Sequence, residues 1–145
     1  CPTRELAQQV AQDAIELVKH TRGLRVANVV GGIPYQLQIA KLQNANLVVA
    51  TPGRLLDLHN QRVFNLEKVE FFVLDEADRM LDMGFLRDIK KVLSLIPSKR
   101  QNLLFSATFS REIKNLANSF LHNPVHHWLT NNCDTNPRHW KKKRK

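Results

Sequence analysis

Three carboxylates in four positions, Asp75, Glu76 and Asp78, follow an apolar run at residues 69–74. An apolar strand that delivers an Asp to its exposed end can hold a magnesium ion beside nucleotide phosphates. The neighbouring Glu is then placed to orient or deprotonate an attacking water. Carboxylates this close repel one another, so the pattern calls for a cation or an arginine nearby. The same residues also read as a strand end followed by helix-capping acids. Ser106 and Thr108 stand just after a second apolar run at 102–105, where they can serve a site or simply cap the next helix. Elsewhere Thr3-Arg4, Gly31-Gly32 and Thr51-Pro52-Gly53-Arg54 combine turn formers with positive charge. Such segments offer N–H groups and guanidinium groups to phosphates, and they equally make ordinary turns and surface charges.

The elements that must position these groups alternate. Residues 5–19 have helical apolar spacing at Leu6, Val10, Ala14 and Leu17, with Thr3 as N-cap and Glu5 in the first turn. Residues 24–30 are rich in β-branched side chains and run into Gly31-Gly32, which predicts a strand and a tight turn. A helix is expected over 34–43, a strand over 47–50, a helix over 54–59 and a strand over 69–74. Leu86, Ile89, Val92, Leu93 and Ile96 share a helical face stopped by Pro97. A strand at 102–105 then leads to a helix capped by Ser110, with Ile113, Leu116, Ala117, Phe120 and Leu121 inward. A last strand is expected at 125–129. Met80, Met83 and Phe85 are expected in the core, and His126-His127 at the surface. Nearly unbroken apolar strands between amphipathic helices imply a parallel sheet covered on both faces. In such sheets functional groups gather at the carboxyl ends of strands, where every cluster named above falls.

Composition narrows the chemistry. The 145 residues are 43% hydrophobic and 24% charged, a globular balance for one domain. No apolar run approaches the length of a membrane helix, and no signal-peptide pattern opens the sequence. Cys1 and Cys133 lack disulfide or zinc spacing, which suits a reducing, cytosolic setting. None of the five glycines precedes a Lys, so a GxxxxGK phosphate loop is excluded. No two glycines stand two apart, which excludes GxGxxG as well. Net charge is +9, and six basic residues against one acidic fall between Asp134 and Lys145. The milder basic excess of the body suits an anionic partner such as nucleic acid. A first residue that is Cys rather than Met suggests a piece of something longer.

Asp75-Glu76-Ala77-Asp78, with Arg79-Met80-Leu81-Asp82-Met83-Gly84-Phe85 after it, closely resembles motif II of the DEAD-box RNA helicases. Pro2-Thr3-Arg4-Glu5-Leu6-Ala7 resembles their motif Ia, and Gly31-Gly32 their paired-glycine motif. Thr51-Pro52-Gly53-Arg54-Leu55 resembles motif Ib, and Ser106-Ala107-Thr108 motif III. Each is weak alone, but five in family order are specific. Residues 71–109 look especially similar to the bacterial RhlE-type subgroup.

The resemblance implies a RecA-like α/β domain of the P-loop NTPase type, incomplete because the phosphate-loop strand is missing. Residues 1–124 would be part of the first such domain, and residues 125–145 a last strand and a basic linker or tail. It further implies ATP and Mg2+ as cofactors, with Asp75 holding magnesium mostly through water and Glu76 the general base. Asp78 would hydrogen-bond Ser106 and Thr108, coupling the ATP site to strand separation. Pro2, Thr3, Arg4, Gly32, Thr51, Pro52, Gly53 and Arg54 would lie along an RNA backbone with little sequence preference. The adenine-reading glutamine motif and the second RecA-like domain are not in these residues. The expected identity is therefore a fragment of a cytoplasmic ATP-dependent RNA helicase, itself without catalysis. The alternative is a non-catalytic RNA-binding module derived from the same domain.

Overall fold

The computed structural model describes residues 1–127, in which six helices and four short strands follow one another. Helix α1 (Arg4–Val18) is opened by Thr3, whose backbone is extended and whose Oγ1 accepts the Leu6 N–H at 3.3 Å. Its buried stripe is Ala7 and Ala11; two small residues let the helix lie close against strands β1 (Val26–Val29) and β2 (Leu47–Ala50). The expected stripe position Leu17 is instead 82% exposed. Helices α2 (Tyr35–Leu42) and α3 (Pro52–Asn60) bury Leu42 and Leu58 with Ala27 and Val29 of β1. Alternate residues of β1 thus serve two hydrophobic clusters, one on each face.

The second half repeats the arrangement with one face covered. Strands β3 (Phe71–Leu74) and β4 (Gln101–Leu104) pair in parallel, Leu74 opposite Leu104. Helices α4 (Ala77–Asp82), α5 (Leu86–Leu95) and α6 (Arg111–Phe120) bury Met80, Ile89, Ile113, Leu116 and Phe120 against Phe72, Leu74 and Leu104. Ser110 caps α6, accepting the Ile113 N–H at 3.3 Å. Helix α4 has no strong sequence signal of its own, but its end is a Schellman turn. Gly84, at φ +83°, donates to Leu81 O at 2.9 Å, and Phe85 donates to Met80 O at 3.0 Å. That turn carries Met83 outward to 48% exposure, against expectation, while Met80 and Phe85 stay with the core.

The expected α/β architecture with parallel strands is present, its four described strands forming two parallel pairs, β1–β2 and β3–β4. No described strand lies between the pairs, although α3 sits beside α5. The odd side chains of the second pair, Phe71, Val73, Leu103 and Phe105, are 38–63% exposed because no described helix covers that face. Helix α3 starts at Pro52, earlier than expected, since a proline at the first helical position loses no hydrogen bond. Residues 125–127 form no strand, and the rest of the strand expected there lies with the basic tail outside the described residues.

Burial separates the two kinds of apolar position. Replacing Ile113, 1% exposed in the second core, with Ala should lower unfolding free energy by about 2–5 kcal/mol. Leu17→Ala should change it by less than about 0.5 kcal/mol. Urea unfolding of the two variants measures both, and a comparable loss for Leu17 would return that residue to the core.

Candidate functional site

The end of β3 delivers Asp75 and Glu76 into a turn whose backbone is held from β4. Phe105 donates to Leu74 O at 2.8 Å, and Ala77 donates to Phe105 O at 2.9 Å. The carboxylate turn and the Ser106–Thr108 turn are therefore fastened side by side. Within the turn, Asp75 Oδ1 accepts the Glu76 N–H at 3.0 Å. Glu76 occupies the left-handed region, φ 48° and ψ 52°, which costs a non-glycine residue about 1–3 kcal/mol. The strained step redirects the chain into α4 immediately after the strand. Arg79 Nη1 donates to Glu76 Oε2 at 3.2 Å and supplies the expected arginine partner. Both side chains are about half exposed, so the pair is worth about 0–1 kcal/mol and exchanges readily with water.

Asp78 reaches across to the second turn. Its Oδ2 accepts the Thr108 backbone N–H at 2.9 Å and the Thr108 hydroxyl at 3.0 Å. Oδ1 accepts the Arg79 N–H at 3.1 Å. Partial burial opposes ionisation, but these donors, Thr108 foremost, outweigh it and hold the carboxyl below its usual range. Ser106, expected as a second partner, donates its single hydroxyl proton to Thr108 O at 2.7 Å. It is the smallest of the influences that favour the charged Asp78.

The other expected residues come together at the end of the β1–β2 pair. Arg4 Nη1 lies 2.6 Å from the point where a Cβ on Gly32 would sit, and Gly32 has φ +78°. Any side chain at position 32 would meet that guanidinium as well as backbone strain. Thr51 donates its N–H to Val29 O at 3.0 Å and starts α3 without a side-chain cap. Arg54 Nη1 donates to Ile33 O at 3.3 Å, and its guanidinium stacks 4.2 Å from the centre of the Tyr35 ring. The Tyr35 hydroxyl donates to Asp57, which also accepts from Gln61. Segments 2–4, 31–33 and 51–54 thus meet. Pro2 and Pro52 are buried, so they shape this surface from beneath and do not present side chains on it. Sequence reasoning did not single out Arg79, Tyr35 or Asp57; the i, i+3 spacing of Glu76 to Arg79 and of Arg54 to Asp57 was the available signal.

The model of one protein family, DEAD/DEAH box helicase, matches residues 1–116. The chain belongs to that family. This helicase segment is 51% identical over 120 residues to a probable ATP-dependent RNA helicase of Methanocaldococcus jannaschii, covering 83% of the segment and 32% of the relative. It is 48% identical over 128 residues to the ATP-dependent RNA helicase RhlB of Pseudomonas putida, covering 86% and 32%. A crystal structure of a DEAD box protein from Methanococcus jannaschii superposes with TM-score 0.79 at 50% identity, over 85% of the segment and 34% of that chain. A hypothetical ATP-dependent RNA helicase from Sulfolobus tokodaii superposes with TM-score 0.80 at 45% identity, over 85% and 37%. The segment therefore spans about a third of the length of such relatives.

The donors of the carboxylate turn can be set against what each kind of cation requires. Among the described residues no three His, Cys, Asp or Glu side chains cluster as a metal cage. One strand-end carboxylate with a free oxygen suits magnesium, which keeps most of its water and shares phosphate ligands. Zinc, with its closed sets of nitrogen and sulfur, has no site there.

The link between Asp78 and Thr108 has a pH signature. A carboxyl with a lowered folded pKa stabilises the fold above its unfolded value and loses that contribution as pH falls through the folded one. The Thr108 amide resonance should therefore titrate with a midpoint below that of an ordinary Asp, and Asp78→Asn should abolish the transition. A titration of unchanged midpoint in the variant would sever the assignment.

Proposed function

We propose that this segment is the motif Ia to motif III portion of an ATP-dependent RNA helicase, acting within a longer protein with a phosphate loop and a second RecA-like domain. The observation that carries the reading is the bond of Asp78 to both the N–H and hydroxyl of Thr108 at 2.9 and 3.0 Å. It fastens the carboxylate turn to the turn that follows β4, so that movement at one is felt at the other. ATP with magnesium, when bound, supplies the phosphoryl group and its electrophilic phosphorus. Asp75 would hold the cation through water with the oxygen not bonded to Glu76 N–H. Glu76, released from Arg79, would take a proton from the attacking water. Segments 2–4, 31–33 and 51–54 would grip RNA phosphates through N–H groups and the Arg4 and Arg54 charges.

The finer parts of the proposal have separate supports. Bacterial RhlE-type character rests on residues 71–109, while similar proteins include archaeal, fungal and bacterial helicases. A cytoplasmic setting is supported by a Cys1 with no disulfide partner among the described residues and by cysteines that lack disulfide spacing. A second reading, RNA binding without catalysis, is favoured for these 145 residues on their own by the missing GxxxxGK loop.

Three experiments test the two halves. The purified 145-residue chain should show no RNA-stimulated ATP hydrolysis, because the donors that hold the phosphates are missing. In a longer enzyme carrying the segment, Glu76→Gln should keep nucleotide binding and lose about 10²–10⁴-fold in turnover. Near-normal turnover would place the base elsewhere. On the RNA side, Arg4→Gln or Arg54→Gln should weaken binding to all single-stranded sequences alike. Each should reduce the slope of log affinity against log salt by about 0.7. Strong dependence on base identity, or no effect of either change, would remove RNA from this surface.

A further inference from the structure

Among the described residues Gln38 is the buried polar side chain, 2% exposed in the middle of α2. An amide taken out of water must recover its hydrogen bonds within the protein. Gln38 recovers two, both from Nε2, donating to Val30 O and to Ile33 O at 2.9 Å each. Its Oε1 is buried and unpaired. The two acceptors are the carbonyls on either side of Gly31-Gly32. One side chain therefore clips the turn shut across its base, and an apolar residue of similar size would fill the space without doing so.

The clip has consequences for the turn's other polar groups. With the flanking carbonyls drawn inward, the N–H groups of Gly31 and Gly32 donate to nothing among the described residues. Ile33 O also accepts from Arg54 at 3.3 Å, so Gln38 and Arg54 share one anchor. Arg4 lies against Gly32. A shift of the Ile33 carbonyl would move Gly32, Arg4 and Arg54 together.

We propose that Gln38 is a positioning residue that holds the Gly31-Gly32 turn, with its unpaired N–H groups and the two arginines, in register with successive phosphates of an RNA strand. The inference rests on the RNA reading above. Gln38 itself touches no RNA; it acts through the turn.

The test uses the full 145-residue chain and a short single-stranded oligouridylate. Gln38→Met, which keeps volume and lacks donors, should lower RNA affinity about fivefold while circular dichroism stays native. Gly32→Ala should lower it too, and the double variant should bind no more weakly than Gly32→Ala alone, since both act on one turn. A merely structural Gln38 would change the melting temperature and leave affinity intact, or would add fully to Gly32→Ala; either result overturns the proposal. Should Gln38→Met fail to fold, the unaltered protein answers by NMR. The Gln38 side-chain amide protons should shift and gain exchange protection when oligouridylate is added, and unmoved signals overturn the proposal. Arg4→Gln separates the two levels of failure. If it weakens binding and Gln38→Met does not, the positioning role is wrong; if it too has no effect, the RNA reading falls and the inference with it.

Discussion

The register of β3 against β4 is the constraint on which the chemistry depends. Leu74 stands opposite Leu104, and two further bonds, Phe105 N to Leu74 O and Ala77 N to Phe105 O, continue the ladder into the turns. A slip of one residue would turn Leu74 and Leu104 away from the α4–α6 core and expose them. It would also carry Thr108 out of reach of Asp78. The core and the site thus select the same register. Apolar packing on one face of the strands supplies the stability that lets Glu76 stay in a left-handed conformation.

The second centre is built differently. Its groups lie on three turns held by unlike devices: a cap at Thr3, a glycine at position 32 that leaves room for Arg4, and a proline that starts α3 at position 52. Backbone donors and arginines dominate there, and carboxylates dominate at the end of β3. At this second centre the arginines have acids close by, Glu5 beside Arg4 at 3.6 Å and Asp57 bonded to the Tyr35 on which Arg54 stacks. The turn after β3 is instead built around three carboxylates. A polyanion and a hydrated cation with its phosphates would each meet a suitable surface.

Sequence reasoning singled out residues that the structure gathers at two strand ends, because glycine, proline and paired acids are local signals read at the positions where they act. It also placed the four described strands, whose apolar runs are short and bounded by turn formers. Several of its errors come from periodicity, which says which residues align and says nothing of what covers them. Leu17 keeps the stripe's spacing and is nonetheless exposed. Phe71 and Val73 look like a strand buried on both sides, yet one side is bare among the described elements. Met83 fails for a local reason, since the Schellman turn at Gly84 reverses the chain just as it is reached. Gln38 was missed because a glutamine in an amphipathic helix normally faces water, and its burial depends on carbonyls several residues away.

The bare face of the second strand pair has a consequence for how the molecule behaves in company. Phe71, Val73, Leu103 and Phe105 are exposed apolar side chains on the β3–β4 pair, and β3 has one edge whose backbone groups meet no described strand. Exposed apolar side chains and an open edge together make a template on which a second chain can lay a strand. Association of this kind is driven by mass action, so the apparent melting temperature becomes a property of protein concentration as well as of sequence. High net charge of one sign, +9 over the chain, opposes that association at low salt and ceases to do so as ions screen it. The segment's solubility is therefore set by a contest between a short apolar ribbon and long-range repulsion, with ionic strength holding the balance.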